Sequence, residues 1–170
     1  VQKLAELIQK YKNEVAATFT SEFSNLLQKA CSEASSKSFK YFVVDIALDL
    51  KHWQNAIDIL DAIQKTHGLN DIGYNLLAFA RWESGDETGA IDAYLKSLAL
   101  NPANVSSLRG TCILLNDHDR DLEALPFVQK WLQLAPTNSE AVEYSKVIAK
   151  NCNVALFNFT SPDSRRADKS

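Results

Sequence analysis

The chain lacks paired cysteines: Cys31, Cys112 and Cys152 are odd in number, widely spaced and without a CxxC pair. That pattern suggests neither a disulfide framework nor a zinc site, and it fits reduced, buried thiols in a cytoplasmic protein. It also lacks any apolar run approaching the roughly 20 residues of a membrane span, and its opening VQKLAELIQK has no signal-peptide core. A basic excess is missing too. The formal charge is -3, and only Arg165-Arg166 begins the kind of Lys/Arg cluster that phosphate binding needs, which argues against nucleic acid as the main partner.

Catalytic signatures are equally absent. No G-x-S-x-G, Walker or dinucleotide glycine pattern occurs, and His52, His67 and His118 fall in or near expected turns and helix ends, not at the i, i+4 spacing of a metal-binding helix. Asp117, Asp119 and Asp121 form an acidic run without the Gly and closing Glu of a calcium loop, so they read as a turn and helix N-cap. The expectation is a chain with no catalytic residue, no metal and no cofactor. Asn104-Val-Ser and Asn158-Phe-Thr match the glycosylation sequon and read as chance matches without a secretory signal.

What is present is ordinary globular composition, 46% hydrophobic and 23% charged, with a length that predicts one structural unit by default. A fixed interval of 34 runs through it: Ala56, Ala90 and Ala124; Leu60, Tyr94 and Val128; Gly68, Pro102 and Pro136; Ser36, Asn70, Asn104 and Asn138. Such a period means a stacked repeat.

Each repeat reads as two helices. Ser36, Asn70, Asn104 and Asn138 stand where a first helix starts, their short oxygen-bearing side chains suited to the unpaired N–H groups of its first turn. Leu50-Lys51, Ser84-Gly85-Asp86 and Asp117-His118-Asp119 fall midway, at a tight turn. The recurring alanines follow on the second helix, where a small side chain lets two backbones approach. Gly68, Pro102 and Pro136 end that helix, by an αL-type cap or by the missing N–H of proline.

This pattern resembles the tetratricopeptide repeat, whose signature has a bulky residue, a Leu and a small residue on its first helix, then A-x3-F and a Pro on its second. Tyr74, Leu77, Ala78, Gly85, Ala90, Tyr94 and Pro102 fit it, with Arg81 in place of the usual aromatic. Leu108, Cys112, Leu115, Ala124, Val128 and Pro136 keep the sizes in the next unit, and Val43, Val44, Ala56, Leu60, Ile63 and Gly68 hold the register in the first, where Lys40 and Lys51 depart. The resemblance implies an all-α, right-handed superhelix of helix hairpins at 37–70, 71–104 and 105–138.

It also implies a concave groove lined by the first helices, whose candidate partner-binding residues are Tyr41, Asp45, Asn75, Phe79, Trp82, Arg109, Ile113 and Asn116, with Leu48, Asp49, Glu83 and Asp117 beside them. Phe79 and Trp82, three apart, share one side of a helix and read either as peptide anchors or as packing residues. The Lys/Asn clamp with which tetratricopeptide domains of this family hold a chaperone's C-terminal carboxylate is matched only by Asn75 and Arg109. Asp45, Asp49, Glu83 and Asp117 would repel such a ligand. The implied partner is a protein or peptide, apolar with some Lys or Arg. In size and layout the chain is similar to the small bacterial secretion chaperones that cradle an extended client segment.

The ends differ from the repeats. Residues 1–36 carry a helical stripe from Leu4 to Ala30, but Glu22 occupies the alanine's place, so the segment reads as an N-terminal cap, with a coiled-coil or homodimerisation stripe as the alternative. Residues 139–157 continue a helical period as a closing cap, and 158–170 are polar enough to read as a flexible tail. The start at Val1 without Met suggests a processed product or a piece of a larger protein. Three functions therefore stay open: a non-catalytic interaction module, the scaffold portion of a larger enzyme such as a glycosyltransferase, and an oligomerising structural subunit.

Overall fold

The computed structural model describes Lys29 and residues 37–153, and every described element is an α-helix. They are α1 (Lys37–Asp49), α2 (Trp53–His67), α3 (Asp71–Glu83), α4 (Glu87–Leu100), α5 (Val105–Asp117), α6 (Asp121–Leu134) and α7 (Ser139–Asn151). The sequence interval survives in space: α1, α3, α5 and α7 begin 34 residues apart and end 34 apart, and α2, α4 and α6 begin 34 apart. The expected N-terminal cap and its dimerisation stripe, the cap at Ser36 and the tail all lie outside the described residues.

The local reason for the helix starts is the one the asparagine column announces. Asn70, Asn104 and Asn138 are extended, and each Oδ1 accepts from the backbone N–H three residues on, of Gly73 (2.9 Å), Ser107 (3.1 Å) and Ala141 (2.8 Å). Each bond satisfies a donor that the helix itself cannot. Replacing any one of the three with alanine is expected to cost about 1 kcal/mol of unfolding free energy, measured by urea denaturation. Asn70→Ala is expected to cost the most, because the same Oδ1 also accepts from the Tyr41 hydroxyl at 3.3 Å.

The mid-hairpin turns share a second column. Lys51, Gly85, Asp119 and Asn153, again 34 apart, all have positive φ (59°, 90°, 57° and 52°). In the first three the N–H of that residue returns to the third carbonyl back, and the next N–H to the fifth back, as in Gly85 to Trp82 and Asp86 to Arg81, both 2.9 Å. This is a Schellman closure, which satisfies the last carbonyls of the first helix and reverses the chain. Glycine fits without steric cost; lysine, aspartate and asparagine hold the same conformation at some expense. Gly68 departs from the expected αL cap: φ 72° with ψ 153° lies in a region that essentially only glycine occupies.

The helices cluster into two compact units divided at Pro102, α1–α4 and α5–α7, where the length predicted one. A hairpin stack has no single core to share, since each hairpin meets only its neighbours. In the first unit α2 packs on α1 and α3, and α3 on α4; in the second α6 packs on α5 and α7. Ala56 and Ala90 in the first unit and Ala124 in the second have no exposed surface, and Leu60, Tyr94 and Val128 one helical turn on are buried beside them. The alanine column is thus fully buried in each hairpin, as a close helix approach requires of a small residue. Pro126 sits inside α6 and cannot donate to the carbonyl of Leu122, a residue 73% exposed.

Polar groups inside the units are tied to backbone. The buried Ser97 hydroxyl donates to the Asp71 carbonyl (2.8 Å), and Asn101 Nδ2 to the Asp71 carboxylate (2.8 Å), which docks α4 onto the start of α3. In the second unit Asp121 takes the corresponding role, accepting from Asn116 Nδ2 (2.6 Å) and Asn151 Nδ2 (2.9 Å).

Candidate functional site

On α3, Ile72, Asn75, Phe79 and Glu83 recur at three- and four-residue steps and so form one stripe, with Trp82 at its edge. Phe79 is 37% exposed and Ile72 57%. Phe79 meets Trp53, the first residue of α2, edge-to-face with ring centroids 5.9 Å apart. An edge-on aromatic contact of this kind fixes the ring while leaving one face open. Trp82 is half-buried. Packing and exposure are therefore both present at Phe79: the ring is braced from one side and available from the other.

Two residues of this face were not expected from sequence. Trp53 stands where the other second helices start with Glu87 and Asp121, and a bulky aromatic in a column of acids was the available signal. Ile72 extends the apolar stripe by about two turns and was legible from its i, i+7 relation to Phe79.

On α1, Asp45 and Asp49 are exposed and Tyr41 is half-buried. The Tyr41 hydroxyl is committed to Asn70, burial pushes its pKa up, and a Cβ on Gly73 would run into its oxygen. Tyr41 is thus part of the joint between α1 and α3. Asp49 ends α1 and Glu83 ends α3, at the negative ends of the helix dipoles. Acids there add to the local field and favour a cation from outside.

The second unit treats its expected residues differently. Arg109 forms a two-point fork with Glu140 of α7, Nε and Nη2 each donating at 2.7 Å. This hydrogen bond holds the Glu140 carboxyl below the usual carboxylate range. A lowered carboxylate pKa means the pairing is fully present at neutral pH and is lost as pH falls through that lowered value. Asn116 has given its amide to Asp121. Ile113, expected on an open first-helix face, is only 7% exposed and packs as core, which corrects that expectation. Asp117, at the end of α5, is exposed.

Cys112 is buried and unpaired, and desolvation pushes its thiol far above the ordinary range, so it is an inert core residue. Cys152, half-buried after α7, is also a free thiol. No helix among the described residues is long and apolar enough to cross a membrane.

No family model matches the chain, and no curated protein sequence matches it. Solved structures do. The chain is similar to the MamA protein at 13% identity over 90% of this chain and 82% of that one, with TM-score 0.73. It is similar to the tetratricopeptide domain of Arabidopsis OM64 at 21% identity over 76% and 96%, TM-score 0.57. It is also similar to the first tetratricopeptide domain of Spaghetti (RPAP3), solved with the HSP90 peptide SRMEEVD, at 16% identity over 79% and 96%, TM-score 0.58. At these identities the likeness concerns the fold, and the fold is that of tetratricopeptide helix hairpins.

Proposed function

We propose, from a tetratricopeptide fold that leaves aromatic surface open on a first helix, that this chain is a non-catalytic scaffold holding a peptide or helix of a partner protein. The observation that carries the reading is Phe79, braced by Trp53, with Ile72 and Trp82 along the same helix. Rigid aromatic anchors concentrate binding energy because little side-chain freedom is lost on contact. A neighbouring fold, that of Spaghetti, holds a peptide, which supports peptide capture as the mode.

The partner's chemistry is set by what borders the anchors. Asp45 and Asp49 of α1 and Glu83 of α3 are exposed acids in the same unit, so the fitting segment is apolar with Lys or Arg at its margins, in an adaptor or chaperone-like role. The acidic SRMEEVD type of ligand is disfavoured by the same carboxylates. Arg109, the residue best suited to an anion, is already forked to Glu140. Free thiols at Cys112 and Cys152 support a reducing, cytoplasmic setting.

The test uses two labelled amphipathic peptides of equal length, one Leu/Lys and one Leu/Glu, with fluorescence anisotropy as the readout. The Leu/Lys peptide is expected to bind and the Leu/Glu peptide not. The double variant Phe79→Ala, Trp82→Ala is expected to weaken binding at least about tenfold, the size of one anchor truncation. Equal binding of both peptides, or an unchanged affinity in the double variant, overturns the assignment of this face.

A further inference from the structure

A second stripe of α3, carrying Tyr74, Leu77 and Arg81, faces away from the Ile72–Phe79 stripe and borders a cleft of about 220 Å³ between α2, α3 and α4. Gln64 and Lys65 of α2 and Lys96 of α4 complete its polar lining, with Asp61 beside them. Leu77 and Ala93, both buried, give it an apolar backing. Three cations thus line the cleft with one carboxylate.

Arg81 is the anomaly. Its equivalents 34 residues apart are Ala47, Leu115 and Ala149, all buried and apolar. Here a guanidinium, its side chain 23% exposed, occupies a packing position. A desolvated charge is costly unless its donors are matched. Of five N–H donors, one reaches an acceptor at hydrogen-bond distance, Nη1 to the Gly89 carbonyl at 3.3 Å. Asp61 and Asp86 approach only to 3.7 Å and 3.9 Å. Lys96 pairs with Asp92 on its own helix, whereas the Lys65 ammonium, the Gln64 amide and the Tyr74 hydroxyl make no hydrogen bond or ion pair among the described residues. Unmatched donors converging on one concavity are the mark of a ligand's acceptors.

We propose that this cleft binds an oxyanion, a phosphate or a carboxylate, carried on an aromatic or short apolar stem. Arg81 and Lys65 supply charge-assisted contacts, Lys96 exchanges its intrahelical partner for the ligand, and Tyr74 and Gln64 donate neutral hydrogen bonds. The stem lies against the Tyr74 ring, Leu77 and Ala93. An anion alone is too small for the volume, so an aromatic ester or acid fits better than a free ion. This site is separate from the peptide face and does not depend on it.

The full chain is titrated with phenyl phosphate, benzoate and inorganic phosphate while the backbone amides of Leu77, Ala93 and Lys96 are followed by NMR. Saturable shifts confined to these helices are expected with phenyl phosphate, and inorganic phosphate is expected to bind about tenfold more weakly. Benzoate separates a carboxylate site from a phosphate site: saturation with benzoate and not with phenyl phosphate assigns the carboxylate, and the reverse assigns the phosphate. The variant Lys65→Gln, Lys96→Gln changes only exposed residues and is expected to weaken binding about tenfold or more. Arg81→Gln is expected to abolish binding and Arg81→Lys to restore part of it. The proposal is overturned if none of the three probes saturates, if the double lysine variant binds as the parent does, or if Arg81→Gln lowers the melting temperature with affinity unchanged. The last result would make Arg81 a strut between Asp61 and the Gly89 carbonyl.

Discussion

Replacing Trp131 with alanine is expected to remove about 3–5 kcal/mol from the stability of the α5–α7 unit, a large part of what a domain has. Trp131 has no exposed surface and is the largest fully buried side chain among the described residues. It projects from α6 toward α7, its ring centroid 6.3 Å from that of Tyr144. Truncation removes the apolar area of an indole and leaves a cavity that two helices cannot close without moving.

The same residue supplies its own control. The Trp131 indole N–H is buried without a hydrogen-bond partner, so Trp131→Phe deletes an unmatched donor together with part of the ring. Losing an unsatisfied polar group offsets some of the lost packing, and Trp131→Phe is expected to cost about 1 kcal/mol or less. Urea denaturation of both variants is the measurement. A phenylalanine variant as unstable as the alanine one would mean that the N–H is bonded and the packing account is wrong. Tyr144 gives a second readout: burial, then the nearby Asp117 and Glu140 charges, hold its phenol pKa up. Alanine at 131 is expected to bring that pKa back toward its ordinary value near 10, followed by the ultraviolet absorbance of the phenolate.

Ala90→Leu is expected to cost about 3 kcal/mol, at the upper end of overpacking effects. Ala90 is fully buried where α4 crosses its neighbour, and Ala78 on the adjoining α3 is fully buried too. Added methylenes there have no open space to enter and must displace a close-packed interior. Ala99 lies on the same helix and is exposed, so Ala99→Leu is expected to change stability by no more than about 0.5 kcal/mol. Thermal and urea unfolding of this pair separate position from residue type. Comparable losses in both would show that the recurring alanine marks helix propensity and not a crossing.

The features that were readable share one property: each is decided within a few residues. An asparagine caps the helix that follows it, and Asn70, Asn104 and Asn138 all show the bond. A residue at positive φ closes the first helix onto its own last carbonyls, at Lys51, Gly85 and Asp119 alike. What escaped reading depended on other elements. Trp53 matters because Phe79 comes to lie against it, and Glu140 because Arg109 reaches it across 31 residues of sequence. The unmatched donors of Arg81 were visible only as a substitution for an aromatic until α2 and α4 placed lysines around them.

Equivalent positions make the division plain. Phe79 and Ile113 stand 34 residues apart at the same point of their first helices, and both are large and apolar. The interval, the caps and the turns were set by the chain itself, because backbone groups at helix ends must find partners nearby. Whether the side chain then faced solvent, as Phe79 does in part, or was covered, as Ile113 is, only the tertiary structure decided. Burial is a property of what neighbouring helices bring to a position, and no local pattern encodes it.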